Sequence, residues 1–150
     1  MRKRIRKSLW FLPVWFLFVS DCAHAPKVYT FENDYSIDFG YEKVWDAVIE
    51  ALAVRNIPID TLDKASGFIC TKRTNFQNSY ADCGSSPFDD RKTGERFGSF
   101  KIVVRELSAI KCSLKITANY NSAPKNIKCN STGEMEQWFY ETLNHKLVHP

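Results

Sequence analysis

Cysteine offers the widest choice of chemistry in this sequence, because a thiol can be modified, oxidised to a disulfide, or used as a nucleophile or metal ligand. Five cysteines occur: Cys22 near the N-terminus, and Cys70, Cys83, Cys112 and Cys129 in the body of the chain. There is no CxxC pair, and no histidine stands at metal-ligand spacing from a cysteine. Since structural zinc sites use such closely spaced ligands, this pattern argues against a metal site.

The four cysteines of the body are an even number, which favours disulfides if the chain is exported. Cys83 and Cys129 lie in irregular stretches, one inside a long polar loop and one just before a predicted helix. We expect these two to pair, which would tie the loop to the start of the helix. Cys70 and Cys112 lie on predicted strands, where they either form a second disulfide or remain thiols. Cys112 shares a strand face with apolar residues, which favours a buried thiol slightly.

The remaining candidates for catalysis or metal binding are weak. Of the three histidines, His24 stands alone, and His145 and His149 have helical spacing but lie at the C-terminal end, where fraying is expected. Asp89 and Asp90 are adjacent loop carboxylates, typical of solvated surface charge. No GxSxG motif, glycine-rich phosphate loop or nucleophile with a credible base is present. We therefore predict no enzymatic activity, no metal and no cofactor.

The first 21 residues have the organisation of a secretory signal peptide. Five basic side chains within residues 1–7 precede an almost entirely apolar run at residues 8–20. That run is shorter than the ~20 apolar residues of a typical membrane-spanning helix. Cys22 follows it, at the position where a bacterial lipoprotein carries its lipid, although Asp21 replaces the small residue expected before that cysteine.

Three fates of this leader are open. Cleavage before Cys22 with lipidation, which we favour, would place the protein on the periplasmic side of the outer membrane in a Gram-negative host. Cleavage after Ala23-His24-Ala25 would give a secreted or periplasmic soluble protein. This site would leave Pro26 directly after the cut, where proline is normally avoided. The third fate is an uncleaved N-terminal anchor.

The net positive charge belongs to the leader. The whole chain has 21 Lys+Arg and 17 Asp+Glu, a net charge of +4. Residues 1–21 hold five basic residues and one acidic residue, so 16 of each sign remain and the rest of the chain is neutral. A nucleic-acid partner, which needs a basic patch on the folded domain, is therefore not expected.

The residues after the leader predict a tether at 22–34 and a single α+β domain at 35–150. Apolar residues three and four apart indicate two helices, with Val48 and Phe139 at the centre of the core. Period-two alternation indicates strands, and the irregular residues 75–95 form a long polar loop. We predict a four-stranded, mainly antiparallel sheet with both helices on one face. The helices are expected at 41–55 and 132–147, and the strands at 57–62, 67–73, 99–106 and 111–120, with a short further candidate at 35–39.

Behind a lipoprotein-like leader, the order helix, hairpin, hairpin, helix resembles the small bacterial outer-membrane lipoproteins with a BamC-type, helix-grip domain. The resemblance implies a non-catalytic accessory of outer-membrane protein assembly, without active-site residues to transfer. Three stretches carry it, and two more are similar to uncharacterised lipoproteins of the same general type. The first three are Tyr41–Val48, Ile57–Asp60 and Ser66–Thr71, and the other two are Cys129–Glu136 and Asp82–Gly84.

Two functions fit these expectations. The first, which we favour, is a structural or protein-interaction module held to the membrane by an N-terminal lipid, with an envelope protein as partner. That partner would meet one sheet edge or the long loop. The second is a binding module for a small apolar ligand in a cavity between helix and sheet. Phe76, Tyr80 and Phe88 could guard such a cavity or equally seal the core. Whether the helix–sheet gap is filled or hollow distinguishes the two functions.

Overall fold

The computed structural model describes residues 23–85 and 94–149 of the chain. Within these ranges it contains two α-helices, α1 (Tyr41–Val54) and α2 (Glu134–Val148), and eight strands. The strands are β1 (Asp34–Ile37), β2 (Ile59–Asp63), β3 (Phe68–Thr71), β4 (Thr74–Phe76), β5 (Ala81–Asp82), β6 (Arg96–Ser108), β7 (Lys111–Ser122) and β8 (Ile127–Ser131). Neither described helix is long and apolar enough to cross a membrane.

A long antiparallel hairpin, β6 and β7, is the frame of the sheet. The two strands pair from Arg96 opposite Ser122 to Ser108 opposite Lys111. Short strands add to both edges of this hairpin: β3 and β4 pair with β6, whereas β1 and β8 pair with β7. Strand β2 extends the sheet beyond β3, and β5 extends it beyond β8. Every pair is antiparallel, as predicted.

The α+β class is confirmed, but the predicted count of four strands is wrong. The additional strands β4, β5 and β8 are two to five residues long and lie in stretches with little strand character of their own. Strands β4 and β8 form because the long hairpin offers unpaired backbone groups at its edges, and β5 in turn pairs with β8. Tertiary pairing, rather than local propensity, therefore produces these strands.

Both helices contribute to one core over the same face of the sheet. Val48 of α1 and Phe139 of α2 are completely buried and belong to a single apolar cluster with Phe100 and Ile102 of β6 and Leu114 of β7. The predicted centre of the core is therefore confirmed. Side chains fill the space between the helices and the central hairpin.

We expect truncation of either central side chain to destabilise the fold. Val48→Ala and Phe139→Ala should each lower the free energy of unfolding by about 2–5 kcal/mol, because each leaves a cavity in a fully packed core. Urea denaturation of the purified protein measures this loss. Val54→Ala on the same helix is the matched control, since Val54 is 57% exposed and should change stability by no more than about 0.5 kcal/mol. Losses at Val48 and Phe139 as small as the control would contradict this core.

Candidate functional site

A disulfide joins Cys83 to Cys129, as predicted. It links the segment after β5 to strand β8, across 46 residues of sequence. Both cysteines are buried and form a small cluster with Ala81 and Tyr120 at one end of the long hairpin. In the chain-entropy description, closing a loop of this length stabilises the fold by roughly 4 kcal/mol. The disulfide thus fixes the otherwise irregular end of the domain.

The alternative of a second disulfide between Cys70 and Cys112 is not realised, because both residues are free thiols. Cys70 pairs with Lys101 on β6, and its neighbours Ile69 and Thr71 point to the buried face of the sheet. Cys112 itself lies on that buried face, so the two thiols are on opposite sides of the sheet. Burial raises the pKa of the Cys112 thiol, which makes it a poor nucleophile at neutral pH.

The segment predicted as a tether lies against the domain at its disulfide end. The backbones of His24 and Ser85 exchange two hydrogen bonds of 2.7 and 2.8 Å. The Asn130 side-chain amide donates to the carbonyls of Pro26 and Lys27 at 3.4 and 3.1 Å. The chain is therefore fixed from His24 onward. We name residues 24–33 the docked segment.

Further contacts hold the docked segment along its length. Asn33 accepts a backbone hydrogen bond of 2.8 Å from Ile116 on β7. The ring of Phe31 packs over Gly133, where a Cβ would come within 2.5 Å of the ring, and Gly133 has φ +89°. A side chain at position 133 would thus be excluded both by this contact and by the left-handed backbone. The start of α2 is shaped to receive the docked segment.

Asp82 on β5 is the polar centre of this junction. Its carboxylate accepts hydrogen bonds from the backbone of Gly84 at 2.7 Å, the backbone of Lys27 at 3.1 Å and the Tyr29 hydroxyl at 3.3 Å. Burial raises the pKa of the Asp82 carboxyl, but these three hydrogen bonds outweigh that effect, and the pKa is lowered overall. A charged Asp82 therefore stabilises the attachment of the docked segment.

A groove of about 390 Å³ opens beside this junction. We name it the Arg96 groove after its most buried charged residue, whose side chain is 5% exposed. Burial lowers the pKa of Arg96, and the charge of Asp82 acts in the opposite direction. Among the residues that the structure describes, neither the Nε nor the Nη1 of Arg96 has a hydrogen-bond partner. The lining includes His24, Tyr29, Ser79, Asp82, Arg96 and Thr132.

A second buried polar group lies where α2 meets the sheet. The Glu136 carboxyl, 1% exposed, accepts hydrogen bonds from the Ser131 hydroxyl at 2.9 Å and from the Ala118 backbone at 3.3 Å. Burial raises the pKa of Glu136, and hydrogen bonds from the Ser131 hydroxyl and from the backbone of Glu136 and Ala118 only partly oppose this. The Tyr120 hydroxyl is also buried, without a partner among the described residues, and burial raises its pKa.

Neither Arg96 nor Glu136 was identified from the sequence. Arg96 stands at the end of the predicted loop, but the inward alternation of Phe100 and Ile102 continues upstream through Gly98 to Arg96. That extension of the period-two pattern would have placed Arg96 on the buried face. The burial of Glu136 was missed because a charged residue in a predicted helix usually lies on the solvent-exposed face.

Apart from Cys83 and Cys129, the candidate residues named from the sequence are not brought together. Cys22, Asp89 and Asp90 lie outside the described residues. His145 and His149 lie at the C-terminal end of α2, with ring centroids 5.0 Å apart. Within residues 23–85 and 94–149, no three His, Cys, Asp or Glu side chains converge on a common point where a metal ion could be held.

Two further cavities lie on the surface of the helical layer. One, of about 280 Å³, is lined by residues of α1 and by the end of α2, including Lys43, Lys146 and His149. The other, of about 260 Å³, lies between the docked segment with β1 and α2, beside Tyr35 and Tyr140. Neither of them is lined by a residue of β6 or β7. These two cavities are therefore surface clefts rather than pockets between helix and sheet.

No protein-family model matches the sequence, and no curated protein matches it at a significant level. Three solved structures have a similar arrangement of elements at low identity. The adenylate sensor of AMP-activated protein kinase is 13% identical, with a TM-score of 0.48 over 81% of this chain and 100% of that chain. A DUF4468 family protein from Bacteroides ovatus is 12% identical, with a TM-score of 0.37 over 77% and 78%. The di-domain aromatase/cyclase BexL is 15% identical, with a TM-score of 0.34 over 77% and 42%.

We expect Glu136 to make stability depend on pH. Its pKa is higher in the folded than in the unfolded state, so its destabilising effect is absent at acidic pH and develops as pH rises above the unfolded value of about 4.3. Glu136→Gln keeps an acceptor for the Ala118 amide and removes this ionisation. The stability of the variant relative to the natural protein should therefore increase between pH 4.5 and pH 8 in thermal unfolding.

The exposed neighbour Glu134 provides the matched control, since Glu134→Gln removes a charge from the same turn of α2. A difference between Glu136→Gln and the natural protein that stays constant over the whole pH range would contradict the assignment of a buried, readily protonated carboxyl.

Proposed function

We propose that this chain is a lipid-anchored, non-catalytic module of the cell envelope, attached to the periplasmic face of the outer membrane through Cys22. The first support for this location is the leader, with Cys22 just after its apolar run. Further support for cleavage before Cys22 comes from the docked segment.

The observation that carries the proposal is the pair of hydrogen bonds between His24 and Ser85. Cleavage before Cys22 retains His24 and leaves these bonds intact. Cleavage after Ala25 would remove His24 and expose the backbone groups of Ser85 beside the disulfide. A domain whose junction uses His24 is better matched to a mature chain that begins at Cys22 than to one that begins at Pro26.

The docked segment also determines how such an anchored domain would be oriented. Cys22 is two residues from His24, a separation that spans at most about 7 Å. Acyl chains on Cys22 would therefore hold the disulfide end of the domain at the membrane surface. Strand β6 runs away from that end for 13 residues, about 40 Å at the rise of an extended strand.

This orientation leaves the turn between β6 and β7 farthest from the membrane. Two apolar side chains at this end of the hairpin, Leu107 and Ile110, are 59% and 76% exposed. Exposed apolar side chains that lie together are typical of protein contacts. In the proposed role, the partner is an envelope protein that binds this turn.

Binding of a small apolar ligand between helix and sheet has less support. Phe100, Ile102 and Phe139, which would line such a cavity, are completely buried against one another and against their neighbours in the core. We therefore retain the anchored, non-catalytic module as the proposed function.

The proposal is tested by replacing the anchor residue. The natural protein should be found in the membrane fraction with acyl mass on an N-terminal Cys22, by intact-mass analysis and metabolic labelling with an alkyne-tagged fatty acid. Cys22→Ser should lose both the label and the new N-terminus, because the acceptor thiol is gone. Cys70→Ser is the matched control and should be acylated normally. A soluble product that begins at Pro26 without acyl mass would refute the lipid anchor.

A further inference from the structure

The strongest unexplained feature of the described structure is the charge buried in the Arg96 groove. Arg96 is 5% exposed, and its Nε and Nη1 atoms have no hydrogen-bond partner within residues 23–85 and 94–149. A buried guanidinium without acceptors costs several kcal/mol of solvation, so buried charges in proteins are normally paired. Nε and Nη1 of Arg96 therefore need a hydrogen-bond acceptor.

Asp82 is the nearest candidate, and it does not fill this role. Its carboxylate oxygens are used by Gly84, Lys27 and Tyr29, and no hydrogen bond joins it to Arg96. Its negative charge still acts on Arg96 at longer range. Asp82 therefore compensates part of the charge and leaves the Nε and Nη1 donors of Arg96 without acceptors.

A disulfide and several hydrogen bonds hold the walls of the groove around Arg96. The Cys83–Cys129 disulfide and the His24–Ser85 hydrogen bonds close one side of it. On the other side, Thr132 donates from its hydroxyl to the Ser79 carbonyl at 3.0 Å and from its backbone to the Tyr80 carbonyl at 3.1 Å. Because Nε and Nη1 of Arg96 are themselves buried, a ligand in the groove reaches them only when the Arg96 side chain moves.

The docked segment reaches this groove only because residue 84 is glycine. Gly84 has φ +72°, and a Cβ there would lie 2.3 Å from the carbonyl oxygen of His24. The wall formed by His24 therefore depends on Gly84. The walls of the groove are thus positioned by the Cys83–Cys129 disulfide, by Gly84 and by the His24–Ser85 hydrogen bonds.

We propose that the Arg96 groove binds a small oxyanion, a carboxylate or a phosphate group, through the guanidinium of Arg96. Such groups are the usual partners of arginine, because their oxygens match its planar array of donors. The residual charge of Asp82 favours a small anion over a highly charged one.

Two sources could supply this chemistry: a free anion, or the phosphate headgroup of a membrane lipid near residue 22. The test uses thermal unfolding of the full chain in non-ionic detergent at constant ionic strength. Chloride is replaced stepwise by inorganic phosphate in one series and by acetate in a second. In a third series, phosphatidylglycerol is added to the micelles in chloride buffer.

At least one series should raise the unfolding midpoint of the natural protein in a saturable manner, because a ligand that binds only the folded state stabilises it. A rise with phosphate or acetate identifies a free anion, whereas a rise with phosphatidylglycerol alone identifies a headgroup. Arg96→Met should lose the response. In chloride buffer without added anion, it should unfold at the same midpoint as the natural protein or higher, because it removes an unpaired buried charge.

Isothermal titration of the natural protein with phosphate and acetate keeps the test decisive if Arg96→Met fails to fold. Arg96→Lys is the second variant, which retains the charge but lacks the planar donors and should bind at least tenfold more weakly. An unfolding midpoint of the natural protein that is unchanged in all three series would overturn the proposal. An equal response from Arg96→Met would overturn it as well.

Discussion

The Cys83–Cys129 disulfide is the constraint on which one end of this domain depends. The other end is held by the apolar packing of α1 and α2 on the long hairpin, which needs no covalent bond. At the disulfide end, short strands and loops have little apolar surface to bury, and the small cluster around the bond contains few residues. The disulfide restricts these segments in the unfolded chain and positions Asp82 and Ser85, to which the docked segment binds.

Polar groups are also distributed unevenly between the two ends. The core over the middle of the sheet is apolar, whereas Arg96, Glu136 and Tyr120 are buried toward the disulfide end. Buried polar groups of this kind reduce stability unless each has its partners, and Arg96 and Tyr120 lack them among the described residues. Proteins tolerate such a cost mainly where a ligand or partner restores the missing interactions. The apolar core and the disulfide end thus differ in how completely their buried polar groups are paired.

The sequence predicted what depends on local periodicity and missed what depends on tertiary pairing. Val48 and Phe139 revealed the helices and the core because their spacing repeats within a single element. The disulfide was predictable because only Cys83 and Cys129 stood in irregular segments. In contrast, β5 is two residues long and exists only because β8 lies beside it. The burial of Arg96 follows the period-two pattern of β6, but the strand begins at Arg96 only because this residue pairs with Ser122.

The central claim is that the chain is attached to the domain from His24 onward, and that this attachment depends on the Cys83–Cys129 disulfide. Hydrogen exchange at the backbone amides of His24 and Ser85 tests it most directly, in the oxidised protein and after Cys83 and Cys129 are both replaced by Ala. The account predicts that both amides exchange slowly in the oxidised protein and much faster in the double variant, while the Leu114 amide in the central hairpin stays protected in both. Rapid exchange at His24 and Ser85 in the oxidised protein would contradict it, because the segment would then be a free tether.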